Sequence, residues 1–397
     1  MENGETLLSL TDHIMDRKIP KILLGRLKAV MRFVPINCIA EGMILGKELF
    51  GKNGEYLLSK GSVIREVYIE KIRELGFNGI YITDELSRDV VVTEIIDESL
   101  RFKTVSTLKN AFHHLEKGSS ISDENYKNIE NVVDEIVKKI LSSKDVIVNM
   151  VDLKTFDDYT FFHSVNVTVL SIVMGVALSL NKNQLSRLGI SALLHDIGKV
   201  FISKGILNKH DMLTGEEFEI IKSHSFKGYE YLKERFNVPA VTYIGILQHH
   251  ENFDGEGYPA GLKGGRISLF GRIIKIADVY DALTSRRPYR DAMIPSEAFE
   301  YIMGGGGTLF DPEIVTAFAR KIAPYPVGTC ITLSNDTTGI VVENYSDSCL
   351  RPRIKVFRHK NSEIDPYIID LKNDKNTMHI TITGVLSERN TARLRPS

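Results

Sequence analysis

The chain has 397 residues, 43% of them hydrophobic and 25% charged, with a formal net charge of −1. That length allows two or three domains with sizeable cores, and the near-neutral balance excludes a protein that coats nucleic acid polymers or an anionic membrane through bulk positive charge. Cys38, Cys330 and Cys349 are scattered without a Cys-x-x-Cys pair, so a reduced, cytoplasmic setting is expected.

Met1 to Leu10 lacks the basic stretch and apolar run of a signal peptide. Residues 1–33 read as an extension, amphipathic through Lys18, Lys21, Arg26 and Lys28. Residues 34–92 read as a small α+β unit, with Gly51-Lys52-Asn53-Gly54 turning between short strands, a helix over Glu66 to Leu75 and a strand over Gly79 to Thr83. This unit carries no histidine and no paired catalytic carboxylate, so its expected role is sensory, docking or structural, and signalling proteins are the partners it would meet.

Residues 93–150 predict a helical linker. Ile95, Ile96 and Leu100, then Ile129, Val132, Val133, Ile136, Val137 and Ile140, form apolar stripes interrupted at Gly118-Ser119-Ser120. Stripes of this kind predict pairing with a second copy, a homodimer. Residues 151–326 are helical by periodicity. Residues 327–397 form a short β-rich segment, with strands expected over Thr329 to Leu333, Gly339 to Glu343, Arg353 to Phe357 and His379 to Thr383. The fold class is therefore mainly α. Val165 to Leu180 is apolar but shorter than a bilayer crossing, and reads as a core helix instead of a transmembrane segment.

The helical part holds His163, His195-Asp196, His224, His249-His250 and Asp278. A lone histidine on an apolar helix face is usually a core residue, but the joint pattern is a metal site. Imidazole and carboxylate suit first-row divalent cations, and seven ligands with one shareable carboxylate are too many for a single tetrahedral ion, so two metals are expected. Adjacent helical residues diverge by about 100°, so His195 and Asp196 meet one ion only at a helix end or kink, which Gly198 supplies. Asp196, with two oxygens, is the candidate bridge. His224 is placed on a helix from Glu216 to Tyr229. Asp278 lies in the apolar helix Ile273 to Leu283, where an unpaired carboxylate would be costly.

Lys199 faces the same side as Asp196 and would serve an anion there. Arg286, Arg287 and Arg290 follow Asp281 within one or two turns of Asp278, and Arg287 and Arg290 read as phosphate contacts. Asp254 to Gly261 specifies a loop of fixed path beside the metals, either a tight turn or a ligand contact. Gly304 to Gly307 lacks the Lys-Ser/Thr of a phosphate loop and reads as a flexible joint before Asp311, the cap of a helix starting at Pro312. His113-His114 lacks companions at metal spacing, and His359 and His379 stand alone, so all four read as surface or structural. Two metals and a cation cluster without a covalent nucleophile imply phosphate-ester hydrolysis, with a hydroxide held between the metals attacking phosphorus.

His195-Asp196-Ile197-Gly198-Lys199, His249-His250-Glu251, Asp254-Gly255-Glu256-Gly257-Tyr258-Pro259 and Asp278-Val279-Tyr280-Asp281-Ala282-Leu283-Thr284 together resemble the HD-GYP family of bacterial cyclic-di-GMP phosphodiesterases, over roughly residues 150 to 330. The resemblance implies an all-helical HD-type phosphohydrolase domain that opens cyclic-di-GMP to pGpG, often continuing to GMP, with iron or manganese as the metal. By position, His163, His195, Asp196 and Asp278 would hold one ion and His224, His249 and His250 the other, with Asp196 bridging. Lys199 would contact the scissile phosphate and assist catalysis. Tyr258, Arg287 and Arg290 would hold the rest of the dinucleotide, with Asp281 supporting the site beside them.

Members with a third metal carry a glutamate one turn before the first histidine. Tyr159 stands there, which argues for two metals, with Asp157 and Asp158 close by. Ser225 replaces a common proline, and His210-Asp211 a common Pro-Gly. The same chemistry on 3′,3′-cyclic GMP-AMP stays open. A non-catalytic dinucleotide receptor would be marked by degenerate ligands, whereas all seven are present.

Overall fold

The computed structural model describes residues 29–51, 55–142, 147–148, 159–209, 211–285, 292–360 and 362–386. Outside these lie the basic residues of the N-terminal extension, the tip of the 51–54 turn, Asp157, Asp158, His210, Arg286, Arg287 and Arg290, together with the side chain of Tyr159.

The N-terminal unit contains β1 (Ala29–Val30), β2 (Arg32–Pro35), β3 (Ile44–Leu45), β4 (Leu49–Phe50), β5 (Tyr56–Leu58), α1 (Glu66–Glu74), β6 (Gly79–Thr83) and β7 (Val91–Val92). Strands β2, β6 and β3 form an antiparallel sheet, β4 pairs with β5, and β1 pairs with β7. The unit begins before residue 34, because Met31 is fully part of its core.

Helices α2 (Glu98–Glu116) and α3 (Asp123–Leu141) follow, capped by Asp97 and Ser122, whose side chains accept from the backbone N–H three residues on. Then come α4 (Tyr159–Ala177), α5 (Lys182–Leu193), α6 (Lys204–Leu207), α7 (Gly215–Lys222), α8 (His224–Arg235), α9 (Ala240–Gln248), α10 (Leu269–Thr284), α11 (Pro295–Gly304) and α12 (Pro312–Lys321). Asp311 caps α12 through a 2.8 Å bond from Glu313 N.

The stripes of α2 and α3 do not await a second copy. Leu108, Ile129, Val133 and Ile136 are buried in one continuous core with Val165, Ile172, Leu188 and Ile273 of α4, α5 and α10. The apolar faces behind the dimer expectation are thus covered within the chain, and residues 98–141 extend the helical domain instead of linking to it. Within α4, Thr160–Ala177 is long and apolar enough to cross a membrane, and 72% of it is buried inside the fold.

The C-terminal segment is one five-stranded antiparallel sheet ordered β11-β10-β9-β8-β12, made of β8 (Cys330–Leu333), β9 (Thr337–Glu343), β10 (Arg353–His359), β11 (Ser362–Asp370) and β12 (Ile382–Val385). The sequence does not announce β11, because an edge strand that is mostly exposed and carries Pro366 loses the alternation and β-former content of an interior strand. The last strand begins at Ile382, and His379 lies before it in a turn.

This sheet is not separate from the N-terminal unit. Met31, Val34, Leu45, Ile80 and Ile82 share a core with Val327, Ile331, Ile340, Ile354 and Val356. Phe33 N donates to Gly328 O at 3.2 Å, and Lys355 Nζ stands 2.9 Å from Asp89 Oδ2. Gly328, at φ +91°, lets the backbones approach, since a Cβ there would lie 3.3 Å from Arg32 Cα.

Candidate metal centre

Helix α5 stops at Leu193, and a 3₁₀ turn over Ile197–Phe201 follows, so His195 and Asp196 sit at the break between two helical segments. The Glu216–Tyr229 helix expected from sequence is two helices meeting at Ser223. Ser223 Oγ donates to Ile220 O at 2.6 Å and Ser225 Oγ to Lys222 O at 3.2 Å, a local back-bonding that competes with helix continuity. His224 opens α8 at this break. His249 and His250 follow the last turn of α9, while His163 and Asp278 project from α4 and α10.

These seven side chains converge. His224, His249 and His250 form one cluster and His163, His195 and Asp278 another, while His195, Asp196 and His249 form a third between them; in each, the potential ligand atoms lie within 4.8 Å of one another. Asp196 faces both sides, with Oδ2 3.4 Å from His195 Nε2 and Oδ1 3.5 Å from His224 Nε2.

The hydrogen bonds behind the rings define their tautomers. Nδ1 of His195, His224 and His249 lies 2.8, 2.7 and 2.6 Å from the carbonyl oxygens of Ala192, Ile221 and Ile246. A carbonyl only accepts, so each Nδ1 carries the proton, and in the neutral form each ring turns an Nε2 lone pair inward. His224 Nε2 stands 3.3 Å from His249 Nε2 and 3.2 Å from His250 Nε2, and the buried His195 Nε2 makes no hydrogen bond. Ring nitrogens gathered in this way, with the Nε2 lone pairs of three rings turned inward, fit a divalent cation.

Charge follows the same logic. Burial, reinforced by the neighbouring imidazoles, holds His249 well below the usual histidine range. Burial also lowers His250 and His224, against opposing attraction from Asp278 and Asp196 respectively. Burial opposes ionisation of Asp196, but Lys199 and the facing histidines outweigh it and keep the carboxylate well below its normal range. Burial likewise opposes Asp278, and His163 outweighs it.

Lys199 Nζ lies 2.6 Å from Asp196 Oδ2, with its side chain partly open to solvent. Tyr258 stacks on His250 with centroids 4.7 Å apart, and Lys222 Nζ sits 5.6 Å from the tyrosine ring centre on α7's side. Asp281 is placed differently from the other expected substrate contacts. It is 1% exposed, with Oδ2 2.7 Å from His163 Nδ1 and Oδ1 accepting from Asn166 Nδ2 at 2.8 Å. Both oxygens are occupied inside the protein, so Asp281 backs the His163 ring and does not face a substrate. Arg287 and Arg290 lie outside the described residues.

Three contributors were not read from sequence. Glu251 is buried and accepts from Ala260 N at 2.8 Å and Leu262 N at 2.9 Å, fastening the loop that carries Tyr258. Its position directly after His249-His250 was the available signal. The Gly304 to Gly307 run is no loose joint. The turn it forms carries Thr308 and Leu309, whose carbonyls accept from Asp254 N at 2.8 Å and Phe253 N at 3.3 Å and so brace the same loop. Lys275, one turn before Asp278, points to His250 O at 3.5 Å, and burial lowers its pKa against the pull of Asp278, Glu251 and Asp254. His113, His114, His359 and His379 are exposed and away from these clusters.

A helical domain with a His-Asp doublet at a helix break and histidines converging on it is an HD domain, and a family model described as HD domain matches residues 135–314. That segment belongs to the HD-domain family. Gly257-Tyr258-Pro259, the motif behind the resemblance to the HD-GYP family, lies in the same segment, with Tyr258 stacked on His250.

The chain is 38% identical over 243 residues to a cyclic di-GMP phosphodiesterase of Pseudomonas aeruginosa, covering 61% of this chain and 58% of that protein. It is 36% identical over 231 residues to a cyclic di-GMP phosphodiesterase of Thermotoga maritima, covering 56% and 62% respectively. It is also 40% identical over 162 residues to 3′3′-cGAMP-specific phosphodiesterase 1 of Vibrio cholerae, covering 41% and 37%. The chain thus spans about three fifths of the length of the first two relatives.

Proposed function

We propose that this protein is a metal-dependent phosphodiesterase that opens cyclic-di-GMP to pGpG and continues to GMP. The observation that carries the reading is the placement of Asp196, with one oxygen toward each histidine cluster. His163, His195, Asp196 and Asp278 would hold one ion, and His224, His249 and His250 the other. Imidazole and carboxylate donors suit iron or manganese and also accept zinc, nickel or cobalt. Bound there, two divalent cations would supply activated water and neutralise charge growing on a phosphoryl group.

The chain's own residues do the rest. The backbone carbonyls of Ala192, Ile221 and Ile246 hold three rings in the ligand tautomer. Lys199, partly exposed beside Asp196, brings a positive charge to the scissile phosphate and stabilises the leaving ribose oxygen. Tyr258 offers an aromatic face at the lip of the site, and Arg287 and Arg290 are assigned to the remaining phosphate. The protein acts in the cytoplasm under this reading, with the Ala29–Val92 unit as the place where signalling partners act.

The similarity to a relative named for 3′3′-cGAMP supports a second reading, in which the mixed dinucleotide is the substrate. Anaerobic incubation of iron- or manganese-loaded protein with each dinucleotide, followed by chromatography of linear products and mononucleotides beside Asp196→Ala, tests both. Product from the wild type alone, faster from cyclic-di-GMP, is the expected result. Preference for the mixed dinucleotide reassigns the substrate. Tight binding without product from protein holding two metals per chain replaces the enzyme with a receptor.

A further inference from the structure

Arg101 lies on α2, outside the residues matched by the HD domain, yet a hydrogen-bonded path runs from its guanidinium to the candidate centre. Its Nη1 donates to Oδ1 of Asn166 on α4. Asn166 Nδ2 donates to Asp281 Oδ1 at 2.8 Å, and Asp281 Oδ2 stands 2.7 Å from His163 Nδ1. Chemistry fixes the direction of this chain. A guanidinium only donates and a carboxylate only accepts, so the amide must turn its carbonyl to Arg101 and its NH₂ to Asp281. The remaining oxygen of Asp281 then receives the Nδ1 proton of His163, leaving Nε2 toward Asp278 at 3.1 Å.

Asn166, Asp281 and His163 are all buried, so an amide rotated the other way would leave mismatched polar groups in the interior, each costly to desolvate. The position of Arg101 is itself held. Its neighbour Phe102 packs edge-on against Phe50 of β4, with centroids 5.5 Å apart, and against Phe162 of α4, 5.9 Å away and directly before His163. Lys47 Nζ, from the N-terminal unit, lies 2.9 Å from Glu98 Oε1 in the first turn of α2.

We propose that Arg101 is a positioning residue of the metal centre: through Asn166 and Asp281 it holds the His163 ring in the orientation and tautomer that a metal requires. This rests on the metal-centre reading above. It gives α2 a part in the site that no position within the matched HD segment supplies.

The test uses the full chain with Arg101→Met, Arg101→Lys and Asn166→Ala. Circular dichroism identifies folded variants. Three quantities are then compared with wild type: the hydrogen-bonded Nδ1 proton of His163 in metal-free protein by NMR, assigned with His163→Asn, manganese affinity by equilibrium dialysis, and the split between kcat and KM. Arg101→Met is expected to shift or lose the His163 proton signal, to weaken manganese binding by about tenfold as outer-sphere changes do, and to lower kcat with KM near the wild-type value. Arg101→Lys, which keeps a donor, recovers most of each. The Arg101→Met/Asn166→Ala pair costs no more than the worse single change, because both break one path. An unchanged His163 signal and unchanged manganese affinity in folded Arg101→Met overturn the proposal. If that variant does not fold, the same comparison is decided by Asn166→Ala and Arg101→Lys. A wild type that binds no manganese and cleaves neither dinucleotide removes the metal-centre reading, while the proton signal still decides whether Arg101 positions the ring.

Discussion

Gly198 passes so close to His224 that a Cβ added to the glycine would lie 1.8 Å from the histidine's carbonyl oxygen and 2.7 Å from Gly228 N. The obstacle is backbone, so no side-chain rotation relieves it. Gly198→Ala should therefore push the 3₁₀ turn away from α8, cost about 1–3 kcal/mol as overpacking does, and move His224 out of register with His249 and His250. Urea unfolding and metal content per chain check this together; two metals at wild-type affinity would show that the contact does not set the cluster.

Glu251 is an acceptor for two loop N–H groups, and Glu251→Gln retains only one carbonyl for them. One donor is then left unpaired beside a buried amide, at a cost of about 1–3 kcal/mol. The loop carrying Tyr258 should loosen while the histidines remain in place. A rise in KM for the dinucleotide with little change in bound metal is the expected kinetic result; a loss confined to kcat would mean that the loop does not serve substrate binding.

Asp311 has two tasks, since it caps α12 and forms an ion pair with Arg272 of α10. Both side chains are largely buried. Asp311→Ala should lose the cap and leave a partly buried guanidinium unpaired, roughly 3–5 kcal/mol in total by analogy with broken buried pairs. Arg272→Met with Asp311→Asn, which removes both charges, should recover part of that in thermal unfolding. Because asparagine still caps α12, an absence of recovery would show that neither the lost cap nor the unpaired guanidinium accounts for the loss.

Metal removal should destabilise the fold as well as stop turnover. Ions present at about 100 times their dissociation constant stabilise the native state by about 2.7 kcal/mol. A chelator should lower Tm, added manganese should restore it, and His224→Ala should shrink the shift. An unchanged Tm on chelation would count against structural coupling of the clusters.

Acid stability has a local contribution from Asp97. The N–H of Leu100, then Lys139, hold its carboxyl below the normal value of 3.8. A depressed folded-state pKa contributes stability that is present above the unfolded value and is lost as pH falls through the folded one. Thermal melts should therefore fall less steeply below about pH 4 in Asp97→Asn than in wild type. Equal slopes would remove Asp97 from the acid response. The side chain is exposed enough that salt should blunt the effect.

The candidate ligands were legible because each is an unusual residue on an apolar helix, and the break that lets His195 and Asp196 act together follows from helix geometry. What surrounds them was less so. Asp281 looks like any acid near Asp278 until His163 and Asn166 are seen to take both its oxygens, and those partners lie more than a hundred positions away. The stripe through Val132, Val133 and Ile136 announces burial but not against what, and the partner is α5 of the same chain instead of another copy. Gly304 to Gly307 signals freedom when read alone, whereas the turn's bonds to Phe253 and Asp254 depend on backbone atoms that sequence does not distinguish.

The core shared by the first and last sheets also sets an order of maturation. Met31 and Val34 pack with residues such as Ile331 and Ile340, about 300 positions later, whereas the helical core is drawn from the intervening stretch, so closing the outer module spans the longest loop in the protein. On a ribosome, the early strands must therefore wait, half-finished, while the helices assemble first. The domain that holds the histidines matures inside a bracket whose two arms are synthesised at opposite times.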